Sequence, residues 1–205
     1  MINWQLFTAF LLITFVLVIT PGPIVTLVIA TGATRGIRAA LTTVIGTTVG
    51  NAVLLAAIAL GLSWVLKASA ELFEVMRWCG VVYLIYLGVQ TWRTAAVPPD
   101  AVPIGRRVHI SRGFVVAITN PKTIAFMTAF LPQFVDPSLP AGPQLAAMCT
   151  MSVLLAGLID AAWGVAAGFG RGFFLSPRRQ TLLNRVSAGV LIGGGIWLSL
   201  ARRPV

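Results

Sequence analysis

Apolar residues run in long blocks near 3–33, 39–64, 70–92, 112–135, 144–169 and 181–200, separated by segments that carry glycine, proline, arginine or acidic residues. Stretches such as 6–19, 44–62 and 148–169 hold almost no charge, over lengths that approach or exceed the roughly 18–20 residues needed to cross a hydrocarbon core. The pattern predicts six membrane-spanning helices. The longest connection, from Arg93 to Arg112, contains Pro98, Pro99, Pro103, Arg106 and Arg107 and reads as a linker. It divides the chain into a first three-helix repeat at 1–95, a cytoplasmic linker at 96–111 and a second three-helix repeat at 112–205.

Composition sharpens this into an all-α membrane protein. Of the 205 residues, 58% are hydrophobic and 10% charged, against about 45–50% and about 25% in soluble domains. At roughly 30 residues per span with its connection, the length leaves no room for a separate soluble catalytic domain. The net charge of +10 would suggest nucleic acid in a soluble protein, but the basic residues fall between apolar blocks, which points to topology control and contact with anionic lipid headgroups. Connections one, three and five hold Arg35, Arg38, Arg93, Arg106, Arg107, Arg112, Arg171, Arg178, Arg179 and Arg185; the opposite side holds only Lys67, Arg77, Arg202 and Arg203. Basic loops stay cytoplasmic, so both termini are expected outside. Met1-Ile2-Asn3-Trp4 has no basic n-region, so the first span is expected to be retained. Cys79 and Cys149 lie in apolar blocks without metal or redox spacing and read as small core hydrophobes.

Three spans per half make any internal similarity an inverted repeat. The first span of each half is interrupted by proline, at Thr20-Pro21-Gly22-Pro23 and at Asn120-Pro121-Lys122, and the second span of each carries glycines four apart, Gly46/Gly50 and Gly164/Gly168. The first block, as one helix, would be about 45 Å long against a core of about 30 Å, so it should break at its prolines, which lack an amide donor. A break frees carbonyls before it and presents amides after it, where the helix dipole favours an anion such as a substrate carboxylate. The alternative is a structural kink.

Lys122 places a cation inside block four, where it attracts a carboxylate, pairs with an acid, or snorkels to the interface. Asp160 is the one acid within a strongly apolar span; it is a candidate for binding an ammonium or exchanging a proton, or else for a fixed pair with Lys122. Asn51 is at the position of block two comparable to Asp160 in block five, as substrate ligand or helix glue. The GxxxG spacings, including Gly189/Gly193, permit close approach within or between protomers. Glu71, Glu74 and Arg77 read as exposed helical pairs, Trp4, Trp64 and Trp92 as interfacial anchors. His109 is the only histidine and falls in the basic linker, so neither a transition-metal site nor a cofactor is expected in the spans. No Ser-His-Asp, phosphate loop or spaced carboxylate pair is visible, which argues against an enzyme.

Thr20-Pro21-Gly22-Pro23, Gly46-x-x-x-Gly50, the run Tyr83-Leu84-Ile85-Tyr86-Leu87-Gly88, and Asn120-Pro121-Lys122 followed by Phe130-Leu131-Pro132-Gln133-Phe134-Val135 together resemble the LysE/RhtB family of amino-acid exporters over essentially the whole chain. The resemblance implies a small bacterial inner-membrane protein that expels amino acids, driven by membrane potential or a proton gradient, and an assembly of two copies. Many members carry an acid directly after the glycine in span two, where this chain has Asn51; the acidic role is then lost or passes to Asp160.

The expected function is export of amino acids by alternating access, with Thr20, Pro21, Gly22, Pro23, Asn51, Asn120, Pro121, Lys122 and Asp160 forming the substrate site and Asp160 coupling to protons. The rival readings are an uncoupled channel or lipid-interacting protein, and metal efflux, which the scarcity of soft or imidazole ligands in the spans disfavours.

Overall fold

A computed structural model describes residues 2–68, 70–93, 106–174 and 176–200, without the side chains of 63–68, 70–73 and 106–108. Pro98, Pro99, Pro103, Arg202 and Arg203 lie outside the described residues, as do the side chains of Trp64, Lys67, Glu71, Arg106 and Arg107. The described chain is helical: α1 Trp4–Ile19, α2 Pro23–Arg35, α3 Ile37–Ala68, α4 Ala70–Arg93, α5 Arg106–Ile118, α6 Pro121–Phe130 with a 3-10 turn Leu131–Phe134, α7 Ala141–Phe169, the single turn α8 Arg171–Phe174, and α9 Pro177–Leu200. No strand occurs among the described residues. Helix α5 starts at Arg106, inside the stretch read as linker, and His109 is buried within it rather than in a loop.

Three of the described helices, α3, α7 and α9, are long and apolar enough to cross a membrane, and the bent pairs α1–α2 and α5–α6 bring the total to five by length and composition. Helix α4 is not among them; Arg77, Gln90 and its tyrosines and tryptophans dilute its apolar character. The predicted breaks are present: α1 meets α2 at 47° and α5 meets α6 at 41°. Both are proline kinks, because a proline removes the amide that would continue the ladder and its ring clashes with the preceding turn.

Helix α3 packs against both α5 and α7, α2 wedges against α7 and α3, and α4 lies along α9 and α6. Glycine sets the closeness. A Cβ at Gly46 would strike the carbonyl of Ile110, and one at Gly113 the carbonyl of Thr43, so α3 and α5 touch backbone to backbone. On the other side a Cβ at Gly32 would lie 2.5 Å from the Gly164 carbonyl and one at Gly164 would lie 2.9 Å from the Ala40 Cβ. Gly189 and Gly193 face open space instead. The main core gathers Phe10, Leu84, Phe130, Leu131, Leu145 and Leu198 from α1, α4, α6, the 3-10 turn, α7 and α9. The outward faces expose Leu12, Val53, Leu60, Val82, Leu154 and Leu158, a surface suited to lipid tails and not to water.

Candidate functional site

The chemistry of the site starts from what Pro21 takes away. In an unbroken helix the carbonyl of Leu17 would accept from the amide of residue 21, and proline has none. Thr20 and Lys122 fill the gap. The Thr20 hydroxyl lies 2.7 Å from the carbonyls of both Val16 and Leu17. The Lys122 ammonium donates to Leu17 O and to Thr20 O, each at 2.7 Å. Its stem crosses Gly22, where an added Cβ would lie 2.9 Å from Lys122 Cδ. Lys122 is therefore buried and directed inward, not toward the interface, and it forms no ion pair within 4 Å of Asp160.

The two breaks end differently on their far sides. Helix α6 is capped by its own sequence: the Asn120 side chain accepts from the Lys122 amide at 3.1 Å and donates to the Thr123 hydroxyl at 2.9 Å. Helix α2 begins after Gly22, which has no side chain to offer and makes no such cap. The first α2 amide with a backbone acceptor is that of Thr26, bonded to Gly22 O at 2.8 Å, leaving Ile24 and Val25 at an open, electropositive helix end.

A cavity of about 50 Å³ sits at that end, with Gly22, Ile24, Val25, Asn51, Lys122 and Asp160 in its walls. Thr20 and Asn120 line it too. At this volume it has room for a few water molecules and not for a branched amino acid. Asp160, 2% exposed, accepts from the Thr47 hydroxyl at 3.4 Å. Asn51, 5% exposed, has a side-chain oxygen with no hydrogen-bond partner. Two acceptors thus face the open amides of α2 across one small space, the arrangement that suits a solute with an ammonium and a carboxylate.

Of the residues singled out in the sequence, Thr20, Gly22, Asn51, Asn120, Lys122 and Asp160 share this cavity, while Pro21, Pro23 and Pro121 line a second, larger one. Thr47 escaped notice, although it precedes Asn51 by one helical turn and so lies on the same face of α3. Leu17 escaped because its contribution is a backbone oxygen. Cys79 is exposed rather than a core residue, whereas Cys149 is buried. Trp4 and Trp92 are exposed near helix ends, as anchors would be.

Comparison with known proteins places these features in a lineage. A homoserine/homoserine lactone efflux protein of Salmonella typhimurium is 27% identical over 197 residues, 95% of this chain and 96% of the relative. A membrane protein of Pseudomonas aeruginosa is 32% identical across 90% of each chain, and a leucine efflux protein of Salmonella choleraesuis is 30% identical across 60% of each. No solved structure matches the chain. The description LysE type translocator matches residues 15–201, the stretch that holds both breaks and every residue of the cavity, and the chain accordingly belongs to the LysE type translocator family, whose members are transporters and not enzymes.

Proposed function

We propose that this protein exports amino acids across the bacterial cytoplasmic membrane by alternating access. In this reading α4 is the sixth span, both termini face outward, and the two halves are inverted repeats, each a broken span followed by two continuous ones. The packing supports that pairing: α3 lies on α7 and α4 on α9, second helix on second and third on third. A broken helix with its amides turned to the midplane is a recurring device for holding a substrate carboxylate in carriers of this kind.

The observation that carries the reading is the meeting of the open α2 end with Asn51 and Asp160 in one cavity. As the inner cavity widens from its closed volume of about 50 Å³ to admit the solute, the carboxylate takes the α2 amides and the ammonium takes the Asn51 oxygen and the Asp160 carboxylate. Asp160 also carries the proton that couples export to the gradient. Because the inner cavity is small and walled by Lys122, the arrangement favours a carrier over an open pore.

The test is release of a labelled amino-acid mixture from proteoliposomes, with and without an imposed pH gradient, beside Asp160→Asn. Saturable loss of one or a few amino acids, accelerated by the gradient in the native protein and abolished in Asp160→Asn, is the expected result. Release no faster than from empty vesicles, for every amino acid, overturns the proposal.

A further inference from the structure

The inner cavity does not account for a second space beside it. About 260 Å³ in volume, it is bounded by the prolines of both breaks, by Leu87 and Thr91 of α4, and by Asn184, Ser187 and Leu191 of α9. Thr26 of α2 completes its polar lining. Its only walls in common with the inner cavity are Gly22 and Lys122. Thr91 is in the last turn of α4, beside Arg93, and Asn184 and Ser187 are in the first half of α9, which opens with Arg178 and Arg179. The chamber therefore belongs to the arginine-rich side of the two breaks.

Ser187 sets this chamber apart. It is 1% exposed, and its hydroxyl has no hydrogen-bond partner. Many other serines and threonines in these helices turn their hydroxyl back to the preceding turn, as Ser152 does to Met148 O at 2.8 Å and Thr31 to Leu27 O at 2.7 Å; among the described residues Thr14 is the other buried hydroxyl without a partner, and it lines neither cavity. A buried hydroxyl left off the backbone costs stability unless something else takes it up. With the Asn184 carboxamide and the Thr26 and Thr91 hydroxyls on the same chamber, the unmet hydrogen-bonding capacity is concentrated where a solute arriving from the arginine-rich side would pause.

We infer that this chamber is the loading site of the exporter and that Ser187 and Asn184 select amino acids whose side chain bears a hydroxyl or carboxamide. The inference rests on the exporter reading above. A site built to hydrogen-bond a substrate group discriminates against the analogue lacking it, because its own buried polar groups are then left unpaired.

Threonine and valine are nearly isosteric and separate the hydroxyl from the shape. The experiment compares their KM and maximal rates in proteoliposomes, together with equilibrium binding of labelled threonine to the purified protein, for native, Ser187→Ala and Asn184→Ala chains. The native protein should favour threonine over valine by about tenfold or more. Each variant should bring the two KM values several-fold closer, through weaker threonine binding. A native preference that both variants leave unchanged, in proteins that still transport, overturns the chamber assignment alone. Absence of transport and of binding for every amino acid in the native protein overturns the exporter reading and this inference with it.

Discussion

The ammonium of Lys122 lies 2.7 Å from the carbonyl oxygen of Leu17, an acceptor that the proline at position 21 has deprived of its helical donor. One broken helix thus repairs the other. The pair also fixes the wall between the inner cavity and the chamber, since the lysine stem must cross Gly22 to reach its acceptors.

This dependence is measurable as a coupling. Lys122→Met strands the Thr20 carbonyl and leaves Leu17 O with only the Thr20 hydroxyl, at a cost of roughly 1–3 kcal/mol. Pro21→Ala returns an amide to Leu17 O. The double variant Pro21→Ala/Lys122→Met should therefore be less destabilised than the sum of the singles, with a coupling of about 0.5–3 kcal/mol. Denaturant unfolding in detergent checks it; strict additivity would mean the two residues do not share the oxygen.

The glycines divide into two classes by what surrounds them. Gly46→Ala and Gly113→Ala each press a Cβ into a backbone carbonyl of the facing helix, which cannot rotate away, and should cost about 1–3 kcal/mol by overpacking. Gly189→Ala and Gly193→Ala meet open space and should change stability by less than about 0.5 kcal/mol, or raise it slightly. Thermal unfolding of the four variants in one detergent separates the classes.

Loss of the Asn120 cap should be felt as stability. Asn120→Ala removes the acceptor for the Lys122 amide and should cost about 1 kcal/mol. Gly22→Ser should instead abolish efflux, because it adds a Cβ 2.9 Å from Lys122 Cδ and a hydroxyl that competes for the α2 amides. Transport assays on both variants, normalised to folded protein, distinguish the two effects.

Outside the membrane, Asn3 and Asp136 tie the start of α1 to the turn before α7. The Asn3 amide donates to the Asp136 carboxylate at 2.8 Å; this bond, then those from the hydroxyl and amide of Ser138, hold the Asp136 carboxyl below the usual carboxylate range. A depressed value means stability that is present above about pH 4, where the unfolded carboxyl ionises, and is lost as pH falls through the lower folded value. Asn3→Ala removes this contribution together with the N-cap that Asn3 supplies to Gln5 and Leu6. Its melting-temperature penalty should be larger at pH 7 than at pH 3, where part of the carboxylate's contribution is already lost. An equal penalty at both values would exclude the carboxylate's part.

The readable features were those that local chemistry fixes. A proline breaks a helix wherever that helix packs, so Pro21 and Pro121 announce their kinks, and paired glycines announce a close neighbour. What Gly46 and Gly50 could not announce is that the neighbour is α5 and not a second copy of the chain. Lys122 posed the harder problem: an intramembrane cation needs partners, yet backbone oxygens carry no residue signature. Ser187 was invisible for a related reason, because a serine in an apolar helix ordinarily bonds its own preceding turn, and its departure from that habit depends on how α9 is rotated against α4. Cys79 is exposed for a reason of the same kind: position in an apolar block says nothing of which side of the helix faces outward.

The contrast between a capped α6 and an uncapped α2 reaches further than affinity. Two like halves, closed alike, would let a solute enter with its carboxylate toward either helix. In the export reading proposed above, Gly22 and Asn120 would remove that freedom: the carboxylate would point to α2, the ammonium toward Asn51 and Asp160, and the side chain past Gly22 and Lys122 toward the chamber of Ser187. Three fixed directions around one carbon distinguish mirror images, so that reading carries a preference for one enantiomer that the absence of a side chain at position 22 would set.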